Sequence, residues 1–260
     1  MKLTTISKKI ISVGLVCASL YGCNKPSNTP DQLKEQLKKE IPGLEQIDAI
    51  NKSPIDGVSE VVVGRKIFYV TNDGKYLIFG NVIDVASKKS ITEQRMQELS
   101  RLDWSKLPLE LAIKEVNGNG SRKIAVFSDP DCPYCQMFEK QVVPNLKDTT
   151  IYTFMFPLPM HKNAKSDAIK IWCSKDRSST WTAWMRDKKP LPTDTSCDIS
   201  ELEKVIKFGQ ETAQIDGTPA IVLENGQLLP GMLPADQLMI QMDIAAGKSP
   251  KVDVNASQAK

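Results

Sequence analysis

The stretch "SDPDCPYCQMFEKQ", residues 128–141, sets Cys132 and Cys135 three positions apart, directly after the apolar run "KIAVF" at 123–127. A closely spaced thiol pair can grip a metal, staple a loop, or pass electrons between thiols and disulfides. The local pattern reads as a strand running into a helix. Pro133 suits a first helical turn, because its missing N–H would have no partner there. Cys132 is then expected at the helix N-terminus, where unpaired N–H groups and the helix dipole favour an anion and lower a thiol's pKa. Cys135, one turn inward, is expected to be more shielded and to remain a thiol, with Cys132 outward. That asymmetry gives one attacking and one resolving sulfur. An inert disulfide across so small a loop would confer little entropic stabilisation.

Metal binding fits the rest of the chain poorly. A tetrahedral zinc site wants four thiolate or imidazole ligands at paired spacing. Cys173 and Cys197 stand 24 positions apart without near neighbours, and the only histidine is His161. No metal and no cofactor are expected beyond the redox pair itself. His161, in "PLPMHKN", reads as a surface residue with no Asp or Asn clearly placed to orient it, so a Cys–His nucleophile is not favoured. Cys173 and Cys197 flank a polar, proline-containing loop. They suit a staple worth about 3 kcal/mol, with a regulatory pair as the alternative.

The N-terminus carries an address. Lys2, Lys8 and Lys9 precede an apolar run of 11 residues from Ile10 to Leu20. That run is too short to span a bilayer and has the form of a secretory leader. These three lysines account for the whole formal charge of +3, so the remaining chain is near neutral and has no basic field for nucleic acid. The leader ends in "SLYGC", which resembles the lipobox of bacterial lipoproteins, although Tyr21 departs from the usual small or aliphatic residue. Six cysteines occur, at 17, 23, 132, 135, 173 and 197. With Cys17 removed in the leader, Cys23 is the odd thiol, and acylation there would remove a liability of an exported protein. Asn24 after it points to an outer-membrane anchor.

Along the chain, "PDQLKEQLKKEIPGL" carries Leu33, Leu37 and Ile41 at a spacing of four, with Pro30 and Asp31 as start and Pro42-Gly43 as stop. The following β-branched and aromatic runs, broken by Asn72-Asp73-Gly74, read as an antiparallel sheet with a hairpin. A helical period covers Ser90 to Trp104, and a second helical stretch is expected from Leu109 to the "NGNG" breaker. Thereafter strand, helix, strand, a helical region near 163–186, another helix, a hairpin at Glu224-Asn225-Gly226 and a closing helix follow in a thioredoxin-like order. In such folds a proline before the late strand, here Thr218-Pro219 in "DGTPAIVL", is cis and faces the thiol pair. An ordinary turn proline is the alternative. The expected organisation is a leader at 1–22, a linker at 23–30, an N-terminal domain at 31–89, joining helices at 90–117, a second domain at 118–247 and a loose tail at 248–260.

Taken together, "SPIDGVSEVVVGRKIFYVTNDGKYLIFGNVIDV", "VFSDPDCPYCQMFEK", "AIKIWCSKD", "TSCDI" and "GTPAIVLENGQLLPG" resemble the DsbC/DsbG family of periplasmic disulfide isomerases and reductases, in the family's order over most of residues 31–245. The resemblance implies an α+β homodimer. It would have a cystatin-like N-terminal dimerisation domain, linker helices and a C-terminal thioredoxin-fold domain with a helical insertion. It implies Cys132 as attacking thiol, Cys135 as resolving thiol and Cys173–Cys197 as a structural bridge. Pro133, Tyr134, Thr218 and cis-Pro219 would line the substrate groove. It further implies misoxidised or unfolded exported proteins as clients and a DsbD-like membrane reductant. Pro133-Tyr134 is the dipeptide of the DsbG branch, and it tunes the redox poise. A chaperone, or a sulfenic-acid reductase dedicated to a secretion or conjugation apparatus, is the alternative reading.

Overall fold

The computed structural model describes residues 28–193 and 195–249. The expected leader at 1–22, Cys17, Cys23 and the tail from 250 onward lie outside the described residues. The chain divides into two compact units after Gly80.

In the first unit, helix α1 (Pro30–Glu40) starts with a capping box. Thr29 Oγ1 accepts the Gln32 N–H at 3.3 Å, and the Thr29 N–H donates back to Gln32 Oε1 at 2.9 Å. Leu33 and Leu37, one turn apart, bury their side chains against a four-stranded antiparallel sheet. Its strands are β1 (Ala49–Lys52), β2 (Val58–Val63), β3 (Lys66–Thr71) and β4 (Leu77–Ile78), neighbours in that order. Val61, Phe68 and Val70 complete the core. The Asp73-Gly74 pair makes the β3–β4 turn, with Gly74 at φ +73° and its N–H on Thr71 O at 2.7 Å. At the β4 edge Tyr76, Ile78 and Phe79 are exposed.

The second unit opens with a short hairpin, β5 (Ile83–Asp84) and β6 (Lys89–Ser90), and helix α2 (Ile91–Leu99). Ser90 caps α2 by accepting the Glu93 N–H at 3.1 Å. Here the structure corrects the sequence reading. The helix expected to reach Trp104 ends at Leu99, and the helix expected after Leu109 is one 3₁₀ turn (Leu109–Leu111) followed by strand β7 (Ile113–Asn117). The reason is tertiary. "IKEVN" pairs antiparallel with a neighbouring strand, Ile113 to Thr153, and this pairing overrides its local preference.

The chain continues through β8 (Arg122–Ser128), α3 (Pro133–Met137), β9 (Thr149–Met155), α4 (Ala164–Trp172), α5 (Arg177–Asp187), α6 (Ser200–Lys207), β10 (Ala220–Leu223), β11 (Leu228–Pro230) and α7 (Ala235–Ala245). The sheet order is β11-β10-β8-β9-β7, with β8 and β9 parallel and every other pair antiparallel. This is the thioredoxin arrangement, and the α+β class holds for the described residues.

The strand β8 is central, and its residues alternate between two cores as a two-residue period requires. Ile124 and Val126 pack with Phe138, Val142, Leu238 and Met242 on one face. Ala125 and Phe127 pack with Phe154, Phe156 and Val205 on the other. Burial on both faces explains why "KIAVF" reads as an unbroken apolar run. After α3 the helical path widens into a π-turn at Phe138–Val142 and tightens into a 3₁₀ turn at Val143–Asn145.

Candidate active site

Strand β8 ends at Ser128, and the next four residues bring the chain to Cys132. The Cys132 N–H donates to Asp129 O at 3.2 Å, and the Gln136 N–H donates to Cys132 O at 3.1 Å as the first helical bond. Cys132 is therefore the N-cap of α3, at φ −79° and ψ 121°, with Pro133 in the first turn. The loop is braced at Pro130, whose carbonyl accepts both Trp184 Nε1–H at 2.8 Å and Gln136 Nε2–H at 3.0 Å.

Cys132 and Cys135 are both free thiols. From the neighbouring strand, whose Ala220 pairs with Phe127 of β8, the segment before β10 brings the Thr218 carbonyl to 3.4 Å from Cys132 Sγ, and the Thr218–Pro219 bond is cis. The Asp129 N–H donates to Cys135 Sγ at 3.4 Å. The two sulfurs differ in electrostatics more than in exposure. A hydrogen bond from the Cys135 thiol, aided by the Cys135 and Tyr134 backbone and by Thr218, works against burial and brings the Cys132 pKa down to about 5. Burial, and then donation to Cys132, pushes the Cys135 thiol up. One sulfur is thus an anion at neutral pH and the other keeps its proton.

Exposure departs from the expectation that Cys132 points outward. Cys132 is 3% exposed and Cys135 0%, because both belong to a core with Met155, Ala168, Ile171, Trp172 and Trp181. Pro133 and Tyr134, between the thiols, stand exposed at the surface. Thr218 is half-buried and Pro219 buried. Cys173 and Cys197 are joined to each other, at an S–S distance of 2.01 Å, fastening the end of α4 to the segment before α6.

One pair escaped the sequence reading. Asp129 is fully buried, and its carboxylate accepts the N–H groups of Asp131 and Leu158, each at 2.7 Å. The same carboxylate lies 2.8 Å from His161 Nδ1. The orienting aspartate that His161 lacked in sequence is 32 positions away. Because β8 and β9 are parallel neighbours, with Ser128 opposite Met155, the loops after them leave at the same end and meet. Parallel pairing of the two apolar runs was the only signal that could have placed them together.

Residues 109–246 match the thioredoxin-like domain family, and residues 24–93 match the disulfide bond isomerase protein N-terminal domain family. A probable thiol:disulfide interchange protein DsbC from Bordetella parapertussis is 32% identical over 214 residues, covering 82% of this chain and 74% of that protein. The thiol:disulfide interchange protein DsbC of Escherichia coli K12 is 28% identical over 203 residues, covering 77% and 83%. Among solved structures, a disulfide interchange protein from Neisseria gonorrhoeae shares 38% identity over 56% of this chain and 100% of that one, with a TM-score of 0.48.

Proposed function

The chain belongs to the DsbC family of thiol:disulfide interchange proteins, and on that premise we propose that its Cys132–Cys135 pair isomerises or reduces incorrect disulfides in exported proteins of the periplasm. The Cys132 thiolate attacks one sulfur of a client disulfide. A Cys132–S bond forms, the client S–S bond breaks, and the second client sulfur leaves as a thiolate. In isomerisation a client thiolate then attacks the client sulfur of the mixed disulfide, so that a different client S–S bond forms as the Cys132–S bond breaks. Cys132 is released as a thiolate with no net change in electrons. In reduction Cys135 gives up its proton and attacks Cys132. The Cys132–Cys135 disulfide forms, and the client keeps two electrons. A membrane dithiol donor of the DsbD type would then restore the pair.

The observation that carries this reading is geometric: the free thiol of Cys132 sits at the N-cap of α3, 3.4 Å from Thr218 O beside the cis Thr218–Pro219 bond, with the free Cys135 thiol buried one turn inward. Pro133, Tyr134 and the Thr218-Pro219 segment surround the attacking sulfur and would receive the client chain. No organic cofactor enters any of these steps.

Two finer readings accompany it. A homodimer is supported by β4, an edge strand of two residues flanked by exposed Tyr76 and Phe79. An outer-membrane anchor at Cys23 rests on sequence alone: "SLYGC", the odd cysteine count and Asn24.

The test is the refolding of a scrambled multi-disulfide client. Cys132→Ala is expected to abolish isomerisation, and full activity in that variant would overturn the assignment. Cys135→Ala is expected to accumulate mixed disulfides with clients, which identifies them.

A further inference from the structure

We propose that His161, held by Asp129, is a positioning residue for the exchange reaction: it takes up a proton when the Cys132–Cys135 disulfide is reduced and places that positive charge opposite the Cys132 thiolate. The inference rests on the thiol-exchange reading given above.

Asp129 is the common anchor. Its carbonyl accepts the Cys132 N–H and its own N–H donates to Cys135 Sγ, while its carboxylate holds His161. A second tie runs alongside, since Asp131 Oδ2 accepts the Asn163 N–H at 3.1 Å. The histidine loop is thus fixed to the thiol loop by hydrogen bonds at both aspartates. His161 also lines a cleft of about 420 Å³ with Leu158, Lys165, Ile206 and Lys207. Its side chain is 22% exposed, so a proton can reach it from solvent while Asp129 stays dry.

The charged groups around His161 separate fixed charges from variable ones. Asp129, in direct contact with it, and Asp131 act on it from the active-site loop, and Cys132 acts on it from the start of α3 through charge. Lys162, Lys165, Glu203 and Lys207 share its cleft. The imidazole pKa is raised, first by the hydrogen bond to Asp129 against a partial loss of solvation, and then by the charges of Asp129, Cys132 and Asp131. In this set only Cys132 changes its charge with redox state. In the disulfide it is neutral, and in the dithiol it is an anion. The difference between the two forms therefore reads the charge that reduction adds at Cys132.

An external dithiol supplies two electrons and is oxidised to its disulfide. The Cys132–Cys135 bond breaks, Cys135 takes one proton, and Cys132 becomes a thiolate. Where His161 is neutral in the oxidised protein, reduction draws one further proton onto it. Between the two His161 midpoints the couple takes up to two protons per two electrons, and outside that window, above the Cys132 titration, it takes one.

The chain has a single histidine, so its imidazole resonances are read without assignment. The test titrates them by NMR in the full chain, once oxidised and once reduced with dithiothreitol. The expected result is a higher His161 midpoint in the reduced protein. Equal midpoints, with the Cys132–Cys135 disulfide formed and reduced as verified by mass, would overturn this inference and leave thiol exchange standing. Failure of that disulfide to form would instead strike the underlying reading. His161→Gln keeps a donor toward Asp129 but cannot carry the proton. Its reduction potential is expected to follow one proton per two electrons across the whole window. A slope unchanged from the parent chain would overturn the proposal.

Discussion

Cys132 Sγ lies 3.4 Å from the carbonyl oxygen of Thr218, although 86 positions separate them in the chain. The contact joins the start of α3 to the segment before β10, and it places the more acidic of the two thiols against the main chain beside the cis Thr218–Pro219 bond. Because Cys132 falls from an ordinary thiol value of 9.0 to about 5, alkylation by iodoacetamide should rise through pH 5 and then flatten. Cys135 should stay unlabelled over the same range. A midpoint near the ordinary value, measured by site-resolved mass spectrometry, would contradict the assignment of roles.

The same shift has a consequence for stability. The folded pKa of Cys132 lies below the unfolded one, so between about pH 5 and 9 the unfolded chain binds the additional proton and stability rises with pH. The contribution is complete above pH 9 and lost as pH falls through 5. Only the dithiol form carries it. Urea midpoints of the reduced protein should therefore climb with pH relative to those of the oxidised protein. Parallel curves for the two forms would rule the effect out.

Much of this fold is legible because its signals are local. The capping pair Thr29 and Gln32, the Asp73-Gly74 and Asn225-Gly226 turns, the unbroken run before Cys132 and Pro133 in the first helical turn each act within a few residues. What could not be read depends on distant neighbours. β7 is a strand because β9 lies beside it, and "IKEVN" by itself carries a weak preference. Cys132 is buried in a core with Met155, Ala168, Trp172 and Trp181, which β9, α4 and α5 bring to it from elsewhere in the chain. His161 meets Asp129 only once β8 and β9 pair in parallel.

Gly226 shows a local signal serving a distant contact. It sits at φ +85°, and its carbonyl accepts the Leu102 N–H at 2.8 Å. A Cβ there would run into the Leu102 carbonyl. Gly226→Ala meets both a disfavoured backbone conformation and a clash with main chain. It should cost more than about 1 kcal/mol in urea unfolding. A neutral result would mean that the segment before Trp104 detaches freely from the β10–β11 turn.

The β4 edge carries the dimer reading. Ile78→Lys with Phe79→Glu puts charges of both signs on an exposed edge, which opposes strand pairing between chains. The expected sedimentation mass is that of a dimer for the parent chain and of a monomer for the variant. An unchanged mass would move the interface elsewhere.

The final prediction concerns the support beneath the thiols. Glu139, in the turn that follows α3, is 3% exposed, and burial pushes its pKa up against the hydrogen bond from Trp181 and the charge of Arg186. Trp181 Nε1–H donates to one carboxylate oxygen at 2.8 Å. Arg186 Nε and Nη2 reach the other at 3.2 and 3.0 Å, and Nη2 also pairs with Glu115. The cluster pins α5 to the helix that carries Cys135. Arg186→Met leaves a buried carboxylate without its cation and should lose about 3–5 kcal/mol. Glu139→Gln in the same chain removes the stranded charge while keeping an acceptor for Trp181, so the double variant should recover a large part of that loss. Additive losses in urea unfolding would show that the ion pair does not hold α5 in place.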